Sequence, residues 1–427
     1  MSNDQPTPTT FDEVVRLFQP IAKNIEEKRK KHGNEVVSWY DLAHILIYFY
    51  TVGCESLSQL VTHLKNADPR LKLPIVPRST LADAFWRMPS DLMRIAFQQL
   101  LSSIEWLEIP ELKALGSLWC IDGSYFPALS KMGWAKVRDK VYGIKLHLSF
   151  SLNYMVPMDC IITVGTGNER QVLRQMLQKG ITFIADRGYF CFDLLADMAQ
   201  AHAFFVFRIR RDAAFALLKT LPIEVSPAVA SILGHVQDLQ VRFFNDPHKN
   251  EYRLVIFTLG QIDFFIVTNR WDLTTYQIIL LYAYRWQIEL IFRFLKHSLN
   301  GLQLITTVPQ GIESQFYALL ITALLHLRFK QDCLLAENAP QGNPGEGMCN
   351  STTTEQAFQQ LQAQQAVKPA SQANRVTAAP GAASFMVAVG RKLRRYWKIG
   401  IHWLITLRAN LAQPFTLRVR QALNSCA

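Results

Sequence analysis

Two aspartates in this sequence occupy positions where a carboxylate could do chemistry. Asp122 ends the apolar run Leu118–Ile121, and Asp186 ends the apolar run Ile181–Ala185. An ionised carboxylate beside a buried strand is unfavourable unless a cation or hydrogen bonds accompany it. Gly188 closely follows Asp186 and allows a sharp turn out of the strand. Taken alone, each aspartate more often marks a turn or a cap than a catalytic site.

A third acidic residue lies on a long predicted helix, from about Thr275 to His297. At about 100° per residue, four polar side chains fall within about 60° of one another: Tyr282, Arg285, Glu289 and Lys296. Most other positions are apolar, which predicts a helix buried on most sides with one polar stripe. The alternative is a solvated face carrying an Arg285–Glu289 pair, although such a face is usually broader. A phenol, a guanidinium and an ammonium around one carboxylate suit a site where metal ions meet phosphates.

The four residues of this stripe resemble the Y-R-E-K signature of insertion-sequence-four-type transposases, which belong to the DDE superfamily and have a ribonuclease-H-like core. The segment Ile-Asp122-Gly-Ser resembles the first catalytic aspartate of that family, and Ala-Asp186-Arg-Gly-Tyr resembles the second. The resemblance covers about 117–330 and extends more weakly to Pro77–Pro89. The four-residue signature is quite specific, whereas each aspartate alone is not.

The resemblance implies catalysis by three carboxylates that hold two Mg²⁺ ions, with Mn²⁺ as the alternative metal. It makes Asp122, Asp186 and Glu289 both the catalytic residues and the metal ligands. One ion would activate a water or a DNA 3′-hydroxyl, and the other would stabilise the leaving oxygen. The expected DNA-binding residues are Tyr282, Arg285, Lys296, Arg187 and Lys145. For Lys145, a solvated strand position is an equally good interpretation.

The implied function is that of a bacterial insertion-sequence transposase. It would bind terminal inverted repeats in double-stranded DNA, cleave the ends and transfer their 3′-hydroxyls to target DNA. Because two ends must be paired, a homodimer in a synaptic complex is expected. Two alternatives remain open: a ribonuclease-H-like nuclease or resolvase without strand transfer, and a DNA-binding protein without catalysis.

Composition agrees with a polyanionic partner. The 427-residue chain has a formal net charge of +11, and basic side chains that neutralise phosphates release counterions. Charge alone is equally compatible with a basic protein that binds no nucleic acid. Seven scattered cysteines without a CxxC pair argue against a zinc site or a disulfide framework. The start of the chain lacks a secretion signal, and the apolar run Phe316–His326 is too short to span a membrane, so we expect a cytoplasmic, nucleoid-associated protein without membrane contact.

The elements that must position these residues predict an α/β fold, a ribonuclease-H-like mixed sheet with a β-rich insertion. An all-α N-terminal domain precedes it, and a linker with a basic helical tail follows. The predicted divisions are 1–110 helical and DNA-binding, 111–200 first part of the catalytic core, 201–270 β-rich insertion, 271–333 core helices, 334–384 flexible linker and 385–427 basic tail. The tail from Arg391 onward carries eight Arg or Lys and no acidic residue.

Local patterns give the element boundaries. Strands are expected at Tyr142–Ser151 and Val156–Val164, followed by a helix from Asn168 to Lys179 that Gly180 closes. In the N-terminal part, helices are expected after the caps Ser38 and Ser56, and a third at 78–87 with Ser79 or Thr80 as its cap. These helices are compatible with a helix-turn-helix-like DNA reader or with a small packing domain. The family can place a base-stacking tryptophan in its insertion, but Trp271 lies too close to the helix start to be assigned that role.

Overall fold

The structure, a computed structural model, describes residues 10–223, 233–259 and 261–337. Its first part is helical, with α1 Thr10–Val15, α2 Phe18–Lys28, α3 Trp39–Val52, α4 Leu57–Lys65, α5 Arg78–Arg87, α6 Asp91–Ser103 and α7 Pro110–Lys113. The predicted linker and basic tail lie outside the described residues, apart from the end of the last helix. No helix within the described ranges combines the length and apolarity that a membrane span needs.

The helix caps follow the predictions in two of three cases. The Ser38 hydroxyl accepts from the amide of Asp41 at 3.0 Å, and the Ser56 hydroxyl accepts from that of Gln59 at 3.1 Å. The predicted cap of α5 at Ser79 or Thr80 is wrong. Pro77 is the cap residue, because its φ of −59° and ψ of 149° already direct the chain into a helix at Arg78.

Ten strands form one mixed sheet: β1 Ser117–Pro127, β2 Lys136–Arg138, β3 Val141–Ser151, β4 Val156–Val164, β5 Ile181–Ala185, β6 Phe204–Arg208, β7 Phe215–Thr220, β8 Leu233–Phe243, β9 Tyr252–Leu259 and β10 Ile262–Thr268. Their order is β2-β3-β1-β5-β6-β10-β9-β8-β7, with β4 paired to β3. Strands β1, β5 and β6 are parallel, and the other pairs are antiparallel. The predicted α/β class with a mixed sheet is confirmed.

One sequence prediction about the strands needs correction. Asp122 does not end its strand, because β1 continues to Pro127 and the five residues after Asp122 pair antiparallel with β3. The block 201–270, predicted as a β-rich insertion, contains β6 to β10; β6 pairs with β5, and the remaining strands extend the same sheet outward.

Helices cover both faces of the sheet. The remaining ones are α8 Glu169–Gln175, α9 Phe192–Gln200, α10 Thr275–Tyr284, α11 Trp286–Arg293 and α12 Pro309–Glu337. Helices α8 and α9 share an apolar cluster with Ile121 and Phe183, which point to one face. Helices α10, α11 and α12 share the other cluster with Cys120 and Ile184, which alternate with them along the strands.

The predicted single helix from 275 to 297 is interrupted. The chain keeps helical dihedral angles at Arg285, yet the Arg285 amide donates to the Tyr282 carbonyl and the Ile288 amide to the Arg285 carbonyl, a spacing of three residues at each step. A π-helical segment, Phe294–Ser298, follows α11. Periodicity could not reveal these changes, because they shift hydrogen-bond partners without changing the apolar pattern.

Candidate active site

Asp122 lies within β1, opposite Leu148 of β3. Its carboxylate accepts a hydrogen bond from the Gly123 amide at 2.8 Å. Burial is the main cause that raises the pKa of Asp122 to about 6. The charges of Glu169 and Glu289 act in the same direction, whereas the Gly123 amide and Arg285 oppose the rise. Asp122 therefore shares one electrostatic environment with the acidic residue of α11.

Asp186 follows β5 directly and stands level with Asp122. In the parallel β1–β5 ladder, Cys120 pairs with Ile184, and each aspartate comes two residues later. Neighbouring strands are about 5 Å apart, so the two backbones bring the aspartates side by side at one edge of the sheet. The Asp186 carboxylate accepts from the Arg187 amide at 2.7 Å, which fixes it at the start of the turn.

Glu289 reaches this edge from α11, which packs against β1. Its carboxylate accepts a hydrogen bond from Arg285 at 2.9 Å. The Arg285 side chain is only 7% exposed, whereas that of Glu289 is 33% exposed. A buried guanidinium thus orients a carboxylate that stays open to solvent on its other side.

The buried phenol of Tyr189 interacts electrostatically with both aspartates. Tyr189 is 1% exposed, and within the described part of the chain its hydroxyl has no hydrogen-bond partner. Burial is the main cause that holds the pKa of Tyr189 well above its usual value, and the charges of Asp122, Glu169 and Asp186 add to it. The Tyr189 hydroxyl therefore interacts electrostatically with all three carboxylates.

The basic residues that the sequence singled out surround this edge in different ways. The Lys296 ammonium donates to the Tyr125 carbonyl at 2.8 Å and lies 4.8 Å from the centre of the Phe126 ring. Burial lowers the pKa of Lys296, and the charge of Asp122 opposes that shift. Lys145 forms an ion pair with Glu169.

Two other predicted DNA-binding residues differ in their accessibility. Arg187 is exposed beside Asp186. Tyr282, in contrast, is fully buried, and its ring packs edge-on against Phe264 with centroids 6.1 Å apart. Contact between the Tyr282 phenol and DNA would therefore require this region to rearrange.

Comparison with known proteins identifies a family that this arrangement resembles. Residues 114–325, which include all three predicted catalytic residues, match the family described as "Transposase DDE domain". Residues 114–325, hereafter the DDE domain, are therefore similar to a transposase DDE domain.

The chain is similar to two known proteins that are named as transposases. The chain is 24% identical over 289 residues to the probable transposase for insertion sequence element IS5377 of Geobacillus stearothermophilus, covering 67% of this chain and 76% of that protein. It is 28% identical over 264 residues to the putative transposase y4zB of Sinorhizobium fredii, covering 60% of this chain and 72% of that protein. Among solved structures, the piggyBac transposase synaptic complex with hairpin DNA aligns with a TM-score of 0.36 and 10% identity over 82% of this chain and 86% of that one.

The donor chemistry of the DDE domain suits a hard divalent cation. Carboxylate oxygens are the ligands that Mg²⁺ prefers, and the mutual effect of Asp122, Glu169 and Glu289 indicates excess negative charge at one place. Within the described ranges, however, no three His, Cys, Asp or Glu side chains already stand in a metal-binding arrangement. Ion pairs with Arg285 and Lys145 engage two of the carboxylates. The residues present are chemically suited to hold the metal, and two of the carboxylates are still paired with basic side chains.

Sequence reasoning missed two residues of the DDE domain. Glu169 was only part of a predicted helix, and Tyr189 was only part of a family-like motif. The cue for Tyr189 was its place three residues after Asp186. Nothing local marks Glu169, because its position depends on how α8 packs beside β1 and the turn that follows Asp186.

Proposed function

We propose that this protein is the transposase of an insertion sequence. It binds double-stranded DNA at the element's terminal inverted repeats, cleaves the ends by metal-dependent hydrolysis and transfers their 3′-hydroxyl ends to target DNA. The observation that carries this proposal is the level placement of Asp122 and Asp186 on parallel strands, with Glu289 acting on Asp122 from α11. Since two ends must be brought together, we propose a homodimer as the working form.

In this mechanism Asp122, Asp186 and Glu289 hold two Mg²⁺ or Mn²⁺ ions. When bound, these ions would lower the pKa of the attacking water or 3′-hydroxyl and offset the charge on the leaving oxygen. Arg285 keeps the Glu289 carboxylate oriented through its 2.9 Å hydrogen bond. The three carboxylates form no covalent bond with DNA, so no protein nucleophile is required.

Positive side chains hold the DNA backbone beside the carboxylates. Lys296 is fixed by the Tyr125 carbonyl and lies near Asp122, where its ammonium can bind a phosphate next to the cleaved bond. Arg187 extends from the turn that carries Asp186, and Lys145 is available once its pairing with Glu169 is released. These contacts give binding a strong dependence on salt.

The proposal is tested with the full chain and a duplex that contains the inverted repeat flanking its own gene. With Mg²⁺, the protein should yield cleaved ends and, with added target DNA, joined products. Asp122→Asn, Asp186→Asn and Glu289→Gln should each lower cleavage by about a thousandfold or more while binding to the duplex persists. Asp197→Asn, in the exposed Arg174–Asp197 pair of α8 and α9, is the control that should cleave normally.

Each other outcome indicates a different function for this protein. Cleavage without any joined product would indicate a nuclease or resolvase. Binding without cleavage would indicate a DNA-binding protein without catalysis, provided that all three substitutions leave the binding unchanged. Normal cleavage by Glu289→Gln would refute the assignment of that residue.

A further inference from the structure

Glu169, the first residue of α8, lies against the backbone just after both predicted catalytic aspartates, at Gly123 within β1 and at Gly188 in the turn that follows β5. A Cβ atom built on Gly123, directly after Asp122, would lie 3.4 Å from Oε1 of Glu169. A Cβ atom built on Gly188, two residues after Asp186, would lie 3.1 Å from Oε2 of the same carboxylate. One carboxyl group therefore lies between Gly123 and Gly188, with one oxygen near each.

Lys145 neutralises this carboxylate in the present conformation. Its ammonium pairs with Oε1, and both side chains are largely buried, Lys145 at 19% and Glu169 at 26% exposure. Lys145 comes from β3, so the pair joins α8 to the strand that neighbours β1. The Lys145 charge thus lies beside the group of carboxylates that the proposed function assigns to divalent cations.

Two buried polar groups in the same region lack hydrogen-bond partners among the described residues. The Tyr189 hydroxyl is 1% exposed, has no partner within the described ranges, and is acted on by the charges of Asp122, Glu169 and Asp186. Nδ1 of the fully buried His147 also has no partner there, and it would lie 3.1 Å from the same Cβ atom on Gly123. Buried polar groups are nearly always satisfied, so two unsatisfied ones beside Glu169 indicate a ligand that brings oxygen atoms, such as a hydrated cation.

We infer that Glu169 is a fourth carboxylate of the active site, which exchanges the Lys145 ammonium for a divalent cation. This inference rests on the proposed function. On cation binding, Glu169 turns from the ammonium to the ion or to its water, and the Tyr189 hydroxyl can donate to an oxygen of that hydration shell. The released Lys145 then binds a DNA phosphate, so that cation loading and DNA binding favour each other.

The exchange predicts opposite effects for the two partners. Glu169→Gln removes a ligand and should weaken Mn²⁺ binding about tenfold or more. Lys145→Met removes the competing ammonium and should tighten Mn²⁺ binding up to about fivefold. A purely structural ion pair would instead lower stability in both variants and leave Mn²⁺ affinity equal.

The test is calorimetric titration of Mn²⁺ into the full chain, alone and with the inverted-repeat duplex. Asp122→Asn serves as the reference for loss of a proposed ligand, and Asp197→Asn as the control for loss of another ion pair on α8. Thermal unfolding of each variant identifies any variant that does not fold. If Glu169→Gln or Lys145→Met fails to fold, the shift in Mn²⁺ affinity predicted for the other variant decides the question.

Wild-type affinity in a folded Glu169→Gln, together with lost binding in Asp122→Asn, would overturn this inference and leave the proposed function standing. Equal Mn²⁺ affinity in Lys145→Met and the wild type would overturn the exchange with Lys145. Absence of Mn²⁺ uptake by the wild-type protein, even with the duplex, would instead refute the proposed function itself.

Discussion

At the level of single residues, the carboxylates of the DDE domain occupy positions where their negative charge destabilises the folded protein. Asp122 is half-buried in a strand, and its charge is opposed by burial and by two other acidic residues. Functional sites often retain groups that the folded state would be more stable without. The resulting stability deficit can be measured in the metal-free protein.

Asp122→Asn should stabilise the metal-free protein at neutral pH. The folded-state pKa is about 6, above the usual 3.8, so the folded form binds more protons than the unfolded chain between these values. Stability consequently falls as pH rises from about 4 to about 6 and stays low above it. Removing the charge should raise the free energy of unfolding at pH 7.5 by roughly 1–3 kcal/mol, measured by urea denaturation.

At pH 4 the gain should almost vanish, because the wild-type carboxyl is then protonated in the folded state. An equal gain at both pH values would show that the substitution acts through packing rather than through charge.

Lys296→Ala should weaken DNA binding without unfolding the protein. If Lys296 binds one phosphate, the slope of log affinity against log salt should become shallower by about 1. Lys179→Ala, exposed at the opposite end of β5 from Asp186, is the matched control and should bind and process the ends as the wild type does. An unchanged salt slope in Lys296→Ala would remove this residue from the DNA contacts. Fluorescence anisotropy across a salt series provides the measurement.

Residue-level prediction from the sequence worked where side chains share one short element. The Arg285–Glu289 pair was predictable, because helix geometry places residues four positions apart on one face. The involvement of Glu169 and Tyr189 was not, since it depends on the docking of α8 and on the turn after β5.

At the level of elements, apolar runs predicted the strands and the core helices, yet three extents were wrong. The apolar run that ends at Ile121 suggested the end of β1, but pairing with β3 carries the strand to Pro127. Helix α8 ends at Gln175, short of the predicted Lys179. The break at Arg285 escaped periodicity for the opposite reason, since the apolar face continues across it. Tertiary pairing and local hydrogen-bond shifts leave little trace in the pattern of residue types.

A buried ion pair connects the outer strands to the start of α10. Arg253 of β9 donates to Asp238 of β8 at 2.6 Å and 2.9 Å, and the Thr275 hydroxyl donates to Asp238 at 2.7 Å. Arg253 also donates to the carbonyls of Arg270 and Leu273. The helix pair that carries Glu289 is therefore anchored at its beginning by charges from two strands.

Arg253→Met should destabilise the protein by about 3–5 kcal/mol, because it leaves Asp238 buried without its partner. Arg242→Met breaks the exposed pair between Arg242 of β8 and Glu251, directly before β9, and should cost about 1 kcal/mol or less. Urea denaturation of both variants makes the comparison. Similar small losses would mean that the buried pair does not anchor α10.

At the level of the whole molecule, the N-terminal helices and the DDE domain share one apolar core. Helix α12 lies at its centre and packs against α1, α3, α5 and α6 as well as β4. The Tyr50 hydroxyl donates to the Gln315 carbonyl at 3.0 Å, and the Ser90 hydroxyl to Glu313 at 2.7 Å. The sequence predicted the helical part but gave no sign of this shared core, because contacts between distant segments have no local pattern.

The fragment 111–337 should therefore fail to fold cooperatively. Without α1 to α6, the buried apolar side of α12 would be exposed to water, a loss too large for a domain of ordinary stability. Differential scanning calorimetry and binding of an apolar dye would compare it with the fragment 1–337. A sharp unfolding transition in the shorter fragment would show that the DDE domain is independent of the N-terminal helices.

The central claim is that Asp122, Asp186 and Glu289 act together on divalent cations. Anomalous diffraction from crystals of the protein with Mn²⁺ and its inverted-repeat duplex tests this most directly. The account predicts Mn²⁺ peaks about 2.0–2.3 Å from carboxylate oxygens of Asp122 and Asp186, with Glu289 completing the ligand set. Ordered Mn²⁺ bound elsewhere, with these three side chains resolved and free of metal in a complex that cleaves its DNA, would contradict it.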